Sequence, residues 1–385
     1  MDKLVIDEKY YNTLEIGCFS SMMDNPTCCY KFYWLEAIVQ LISQNIKSAT
    51  YDEIINRMIA NAWYPVIEYH IHLSGLDSYG QVKDNLERAV LRLKMLSDLS
   101  NSASREEIIQ NISILDDDKH FKRYKNELIK YVPYRALSGF ARQGGITVNL
   151  DGNKSKVMTQ FNALSKSKIL LPYIFCVGRG LERELVFNDG WVQMIQDNTV
   201  AILGWIQHEK VKWLQKNNPE VPGIVYKLIP NDKIRKLDRV KKLWRAVMDI
   251  VPIRDIFADE PLIEGNYDID HFIPWSFVMN DELWNLMPIK SPLNSSKSNK
   301  LPVWDKFFKG FASNQYILYL QIKSGNRNIY NLYTECFQDN LHSIWAIKEL
   351  YGKDNTEAEF QNILDKNMRP VYDSAIRQGY DIWRI

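Results

Sequence analysis

The chain has 385 residues, 46% hydrophobic and 12% aromatic, and its 48 Lys and Arg against 47 Asp and Glu leave a formal net charge of +1. Such a composition excludes a disordered chain, and the length suits two or three domains with a sizeable core. No apolar run reaches membrane-spanning length, and Met-Asp-Lys-Leu-Val-Ile-Asp-Glu lacks a basic-then-apolar leader pattern, so a cytoplasmic protein with no membrane partner is expected.

In chain order, Asn25-Pro26-Thr27 marks a start signal for a buried apolar helix over 28–45, and Thr50 or Asp52 can cap a second helix running to about 62. Helical spacing continues over 81–99, 104–113 and 118–131. Ser104 with Glu107 three residues on forms a capping-box pattern. His70-x-His72 has strand-like spacing and reads as structural. Residues 133–145, ending in Arg142-Gln-Gly-Gly, read as a linker. From 146 the character turns mixed: the apolar runs after Gly145, over 169–177, 186–191 and 199–205 suggest a small sheet. The five cysteines, at 18, 28, 29, 176 and 336, form no Cys-x-x-Cys pair, which excludes a zinc ribbon and leaves free thiols.

Near-neutral charge does not forbid a basic face, because local patches set the attraction to phosphate. Between residues 208 and 255, twelve basic residues stand against six acidic ones. Within that run Lys233 to Arg245 reads as an amphipathic helix. Its apolar side carries Ile234, Leu237, Val240, Leu243, Trp244 and Val247, and its basic side faces either solvent or a phosphate backbone.

Residues 267–302 carry the chemistry. Asn266–Ile273 alternates like a strand and Pro274 stops it. Asn280-Asp281-Glu282 reads as a turn, and Leu283–Ile289 as a second short apolar run. Ser291-Pro292 reads as a break, after which a helix can begin near Asn294 with exposed amides that favour an anion. A β-hairpin followed by a helix would gather Asp270, His271, Asn285, Asn294 and Lys297. Hydrolysing a phosphodiester at neutral pH calls for a base near that pH, which histidine supplies, and for charge stabilisation, which a divalent ion supplies. Asp270 and Asn294 offer oxygen donors of the kind magnesium prefers. Lys297, one helical turn beyond Asn294, offers a point charge for a phosphate oxygen.

On these motifs the segment resembles the HNH, or ββα-metal, endonucleases without structural zinc, in the form whose third position is Asn rather than His. Asp-His-Phe-Ile-Pro-Trp-Ser-Phe followed by Asn285 and Asn294-Ser-Ser-Lys297-Ser is similar to the HNH domain of type II CRISPR effector nucleases. The resemblance covers about a tenth of the chain. It implies His271 as general base, Asp270 and Asn294 as metal ligands, Asn285 as the central Asn bracing the hairpin loop and orienting the histidine, and Lys297 as the helix lysine near the phosphate. It also implies Mg²⁺, with Mn²⁺ as a substitute, and a nucleic-acid substrate, in the first place double-stranded DNA.

The expected architecture is α+β in four parts. These are a helical N-terminal region over 1–145, serving sensing, targeting or partner binding; a mixed region with the basic helix over 146–250; the HNH nuclease over 251–310; and a helical region over 311–385. The expected function is a metal-dependent HNH endonuclease, by analogy in prokaryotic restriction or anti-phage defence. Because one such site cuts one strand, double-strand breaks would need a homodimer, a partner protein or a second event. Two other readings stay open: a homing or mobile-element nuclease, and a non-catalytic nucleic-acid-binding subunit.

Overall fold

The computed structural model describes residues 4–114, 117–229, 235–263 and 265–385. Among the described residues the fold is α+β: long helices with three small sheets. The chain divides into two compact units. One covers the described residues to Pro219 together with 227–229; the other covers 220–226 and the described residues from 235 to Ile385.

The first unit is built on aromatic-rich helices. Helix α1 (Tyr30–Ser43) is followed by strand β1 (Ser48–Thr50) and helix α2 (Tyr51–Ile67). Thr50 caps α2 reciprocally with Glu53, so the first-turn amides find acceptors before the apolar face begins. Trp34, Trp63 and Trp191 are completely buried here, each worth roughly 1.5–3 kcal/mol of apolar burial. Helices α3 (Asn85–Leu96) and α4 (Lys119–Ile129) start at Asp84 and Asp118, whose carboxylates accept first-turn amides. The Ser104–Glu107 box forms as the spacing predicts. His72 Nδ1 lies 2.8 Å from Glu87 Oε1, which ties its loop to α3 and makes the histidine structural. All five cysteines are free, and burial pushes every thiol up.

Several expectations for this unit need correction. The supposed linker over 133–145 holds two short helices, Val132–Arg135 and Ser138–Gln143, and Gly145 takes φ +70° at the end of the second. The small sheet exists but is assembled differently: β1, unforeseen, pairs antiparallel with β3 (Glu184–Phe187), which pairs with β2 (Tyr173–Phe175). The sheet thus joins chain from both sides of Gly145. Residues 199–205 are not a strand but the start of helix α5 (Thr199–Asn217). There Ile202, Trp205 and Ile206 are buried while Val200 and Gly204 are exposed, so a 3.6-residue burial period overrides the local β-branched content.

The second unit holds the basic helix, here α6 (Asp238–Met248), with Val240, Leu243, Trp244 and Val247 buried as its pattern predicts. Lys233 and Ile234 lie outside the described residues. Next come strand β4 (Tyr267–His271), short helix α7 (Trp275–Val278), strand β5 (Leu286–Lys290), helix α8 (Ser291–Lys297) and strand β6 (Leu301–Pro302). Helices α9 (Trp304–Lys323), α10 (Arg327–Cys336) and α11 (Glu357–Arg377) then lead to strand β7 (Ile382–Trp383), which pairs in parallel with β6. Phe272 packs on Phe311 at 4.6 Å and meets Trp304 edge-on at 5.7 Å, joining the β4 end to α9. Among the described residues, no helix is long and apolar enough to cross a membrane.

One buried acid of the first unit sets a pH dependence. Asp84 is 1% exposed, and its carboxyl is pushed from 3.8 up to about 6, chiefly by burial and against hydrogen bonds from Ser74 and the Glu87 amide. The folded state therefore holds this proton more tightly than the unfolded chain. The resulting stability is fully present below about pH 3.8 and is lost as pH rises through about 6. That displacement corresponds to roughly 3 kcal/mol. Denaturant unfolding of wild type and Asp84→Asn at pH 4 and pH 7 should show the wild type losing stability relative to the variant; an unchanged difference would contradict the assignment.

Candidate active site

β4 and β5 form a two-stranded antiparallel ribbon in which Tyr267 faces Lys290, Asp270 faces Met287 and His271 faces Leu286. Pro288, which has no N–H to give, is tolerated because each strand of such a ribbon keeps an open edge. Tyr267 and Ile269 are buried on one face. The strand period of two puts Asp268 and Asp270 together on the other, and α8 packs against both strands.

Helix α8 begins at Ser291, three residues earlier than the sequence suggested, with Pro292 in its first turn rather than breaking the chain. Proline suits that position because its missing N–H would have had no helical partner. Asn294 consequently sits inside the helix, and the expected anion site on exposed amides at Asn294 is not formed.

The helix delivers two side chains to β4. Asn294 Nδ2 donates to Asp268 Oδ2 at 3.4 Å, and both residues are half-buried. Lys297 is fully buried; its Nζ donates to Asp270 Oδ2 at 2.8 Å and to the His271 carbonyl at 2.7 Å. In this arrangement the ammonium serves protein partners rather than a phosphate. Asp270 is only 6% exposed, so solvent meets the site at Asp268 and Asn294.

The His271 ring is completely buried. Its Nε2 lies 3.1 Å from the Asn280 carbonyl and 3.1 Å from Asp281 Oδ1. Both neighbours are acceptors, so Nε2 is the nitrogen that carries hydrogen. Nδ1, which has no hydrogen-bond partner among the described residues, then keeps the lone pair able to take a proton. Burial opposes charge on Asp281, yet the close approach of the His271 ring holds its carboxyl below the ordinary value. The Lys236 amide donates to Asp281 Oδ2 at 3.0 Å and fixes the other oxygen.

Asn285 closes the loop between the strands. Its Oδ1 accepts from the Ile273 amide and its Nδ2 donates to the Ile273 carbonyl, both at 2.8 Å, while its own carbonyl accepts from the Phe272 amide at 2.8 Å. It therefore braces the chain one and two residues past His271, and its side-chain hydrogen bonds go to the Ile273 backbone rather than to the ring.

The structure thus gathers Asp270, Lys297 and the His271 backbone, and separately Asn294 with Asp268. Asp268 and Asp281 were not singled out in the sequence. Asp268 had a readable signal, since Asp-x-Asp on a strand shares one face. Asp281 fell in a turn, and nothing in its spacing pointed to the histidine. Among the described residues, no cluster of three or more His, Cys, Asp or Glu side chains is placed to hold a metal ion. Asp268, Asp270 and Asn294 nevertheless supply carboxylate and amide oxygens, a donor set that fits a hard cation such as magnesium.

The Lys297–Asp270 pair yields a stability test. Removing the ammonium alone leaves a buried carboxylate without its cation, which costs about 3–5 kcal/mol. Lys297→Met should destabilise by that order, and Asp270→Asn combined with Lys297→Met should recover much of the loss in denaturant unfolding. A loss below about 1 kcal/mol would contradict the pairing.

Residues 255–303 match the family model described as HNH endonuclease. No curated protein and no solved structure matches the chain. The match begins at Asp255, a fully buried carboxylate that accepts from the Phe257, Ala258 and Lys290 amides and so fixes the end of β5. The ββα arrangement of β4, β5 and α8 lies wholly inside the matched segment, and the match implies a nuclease acting on nucleic acid. Residues 255–303 are thus similar to the HNH endonuclease family, and the rest of the chain lies outside that match.

Proposed function

We propose that this protein is a metal-dependent endonuclease that hydrolyses phosphodiester bonds in double-stranded DNA. The observation that carries the reading is the buried His271 ring with its Nε2 committed to Asn280 and Asp281, which leaves Nδ1 as the proton acceptor, beside the oxygen donors of Asp268, Asp270 and Asn294. His271 would take the proton of the attacking water at Nδ1. Asp281 would keep the ring in its tautomer and balance the charge it gains. Asp270, Asn294 and Asp268 would hold a magnesium ion, with manganese as a substitute. When bound, that ion polarises the phosphate and stabilises the leaving oxygen. Lys297 would hold Asp270 in place and Asn285 would hold the loop, both as positioning residues.

A second reading, that the hairpin grips nucleic acid without cutting, is favoured by one observation: His271 is fully buried and Asp270 already carries an ion pair. In the nuclease reading, the ring has to be uncovered before Nδ1 can meet the attacking water. The helical first unit fits a sensing or targeting role. Restriction or anti-phage defence is the setting that the family resemblance suggests, an analogy of fold rather than of site.

The test is plasmid cleavage by the purified full-length chain with Mg²⁺, Mn²⁺ or EDTA, beside His271→Ala. The expected result is metal-dependent cutting, abolished by EDTA and reduced by about 100-fold or more in the variant. Nicked circles should precede linear product, because each chain carries one site. A His271→Ala protein that cuts as well as wild type would overturn the assignment. Wild type that binds DNA but never cuts would favour the gripping module.

A further inference from the structure

The state of the His271 ring depends on two groups that follow it in the chain. The Asn280 carbonyl and Asp281 Oδ1 each lie 3.1 Å from Nε2. Both belong to the turn after α7, which is entered through Met279 at φ 56°, a left-handed conformation that a residue with a Cβ disfavours. Such a turn keeps one shape only when its surroundings over-determine it.

Asn340 supplies the hold. It follows α10, lies beyond the segment that matches the family model, and is completely buried. Its Nδ2 donates to the Asp281 carbonyl at 2.9 Å and to the Lys236 carbonyl at 2.8 Å, and its backbone carbonyl accepts from the Leu283 amide at 2.6 Å. The Lys236 amide in turn donates to Asp281 Oδ2 at 3.0 Å. Asn340, Lys236 and Asp281 therefore close a ring of hydrogen bonds that fixes both the backbone and the carboxylate of Asp281. Asp339 tightens the ring by accepting from Lys236 Nζ at 2.6 Å and from Arg239 of α6. Buried Glu282 holds the next position of the turn, accepting from the His342 and Ser343 amides at 2.9 and 3.1 Å. The side chain at 340 has to donate twice, because two backbone carbonyls face it. A carboxylate would meet both with oxygen, and an alkyl group would leave both unpaired. Asn340 Oδ1 is buried with no hydrogen-bond partner among the described residues, so the donating half of the amide is the half in use.

We infer that Asn340 is a positioning residue for the cleavage step, an inference that rests on the nuclease reading above. It holds the turn so that the Asn280 carbonyl and the Asp281 carboxylate keep the ring hydrogen of His271 on Nε2 and leave Nδ1 free to accept a proton. The hydrogen bonds of its side chain go to backbone carbonyls, so it acts through the turn and meets no reacting atom.

The experiment pairs steady-state cleavage of a DNA duplex in Mg²⁺ with the nitrogen NMR signals of His271 in EDTA, which report the ring nitrogen that carries hydrogen. It compares full-length wild type with Asn340→Asp, which keeps the shape and loses both donated hydrogens. Asn340→Ser, a milder change that keeps one donor, covers an Asn340→Asp chain that fails to fold. Leu364→Ala, in the buried face of α11, is the destabilised control. Wild type should show the Nε2–H form. Asn340→Asp should lower kcat by about 10- to 100-fold with KM within about twofold, and should show mixed tautomers. Asn340→Ser should fall between the two, and Leu364→Ala should keep the wild-type kcat and ring signals. Wild type in the Nδ1–H form, or Asn340 variants with wild-type kcat and ring signals, would overturn the inference. An equal loss of kcat in Leu364→Ala would overturn it too. If wild type binds DNA but never cuts, the nuclease reading falls. Unchanged ring signals in the Asn340 variants would then sink the positioning role as well, and shifted ones would uphold it.

Discussion

A lysine with no exposed surface holds this site together. Lys297 Nζ bridges the Asp270 carboxylate and the His271 carbonyl, so one ammonium fixes helix α8 against the end of β4. Taking both charges out of water costs several kcal/mol, and good geometry with added hydrogen bonds is what returns it. The backbone of His271 is pinned by that contact, and its ring is pinned from the other side by Asn280 and Asp281. From this one arrangement follow the direction of α8, the contact of Asn294 with Asp268, and the exposure of that pair as the side from which a cation can approach.

The matched segment does not support itself. Asn340, fully buried, donates to the carbonyls of Lys236 and Asp281 and accepts from the Leu283 amide, so the stretch that carries the partner of His271 hangs on the chain after α10. Glu282 accepts from the His342 and Ser343 amides, and Gln315 of α9 donates to the Leu283 and Leu286 carbonyls. At the other end, the Leu301 amide donates to the Asp381 carbonyl and Trp383 packs on Phe257 at 4.8 Å. Residues up to 80 positions beyond the family match therefore complete its core, because a two-stranded ribbon and a seven-residue helix bury too little surface to stand alone.

Much of this was legible in the sequence where local chemistry decides the outcome. Thr50 with Glu53 and Ser104 with Glu107 place helix starts through side chains that reach only three residues. The hairpin and helix of 267–297 follow from alternation, a stop at Pro274 and the return of apolar residues at Leu283. The failures lie where distant partners decide. Residues 199–205 look like a strand until Ile202, Trp205 and Ile206 find one buried side. β1 is three residues long and exists because Glu184–Phe187 lies beside it. Pro292 reads as a break but begins a helix. The pairing of Lys297 with Asp270 spans 27 residues of chain, and that of His271 with Asp281 depends on a left-handed residue, Met279 at φ 56°, that no spacing rule marks.

The proposed mechanism needs a divalent cation on the β4–α8 face, between Asp270, Asn294 and Asp268. The direct measurement is an electron paramagnetic resonance titration of Mn²⁺ into the metal-free full-length chain, beside Asp270→Asn and Asn294→Ala. The account predicts one bound ion per chain in wild type, with binding lost or weakened by at least about tenfold in each variant. Equal stoichiometry and affinity in all three proteins would contradict it.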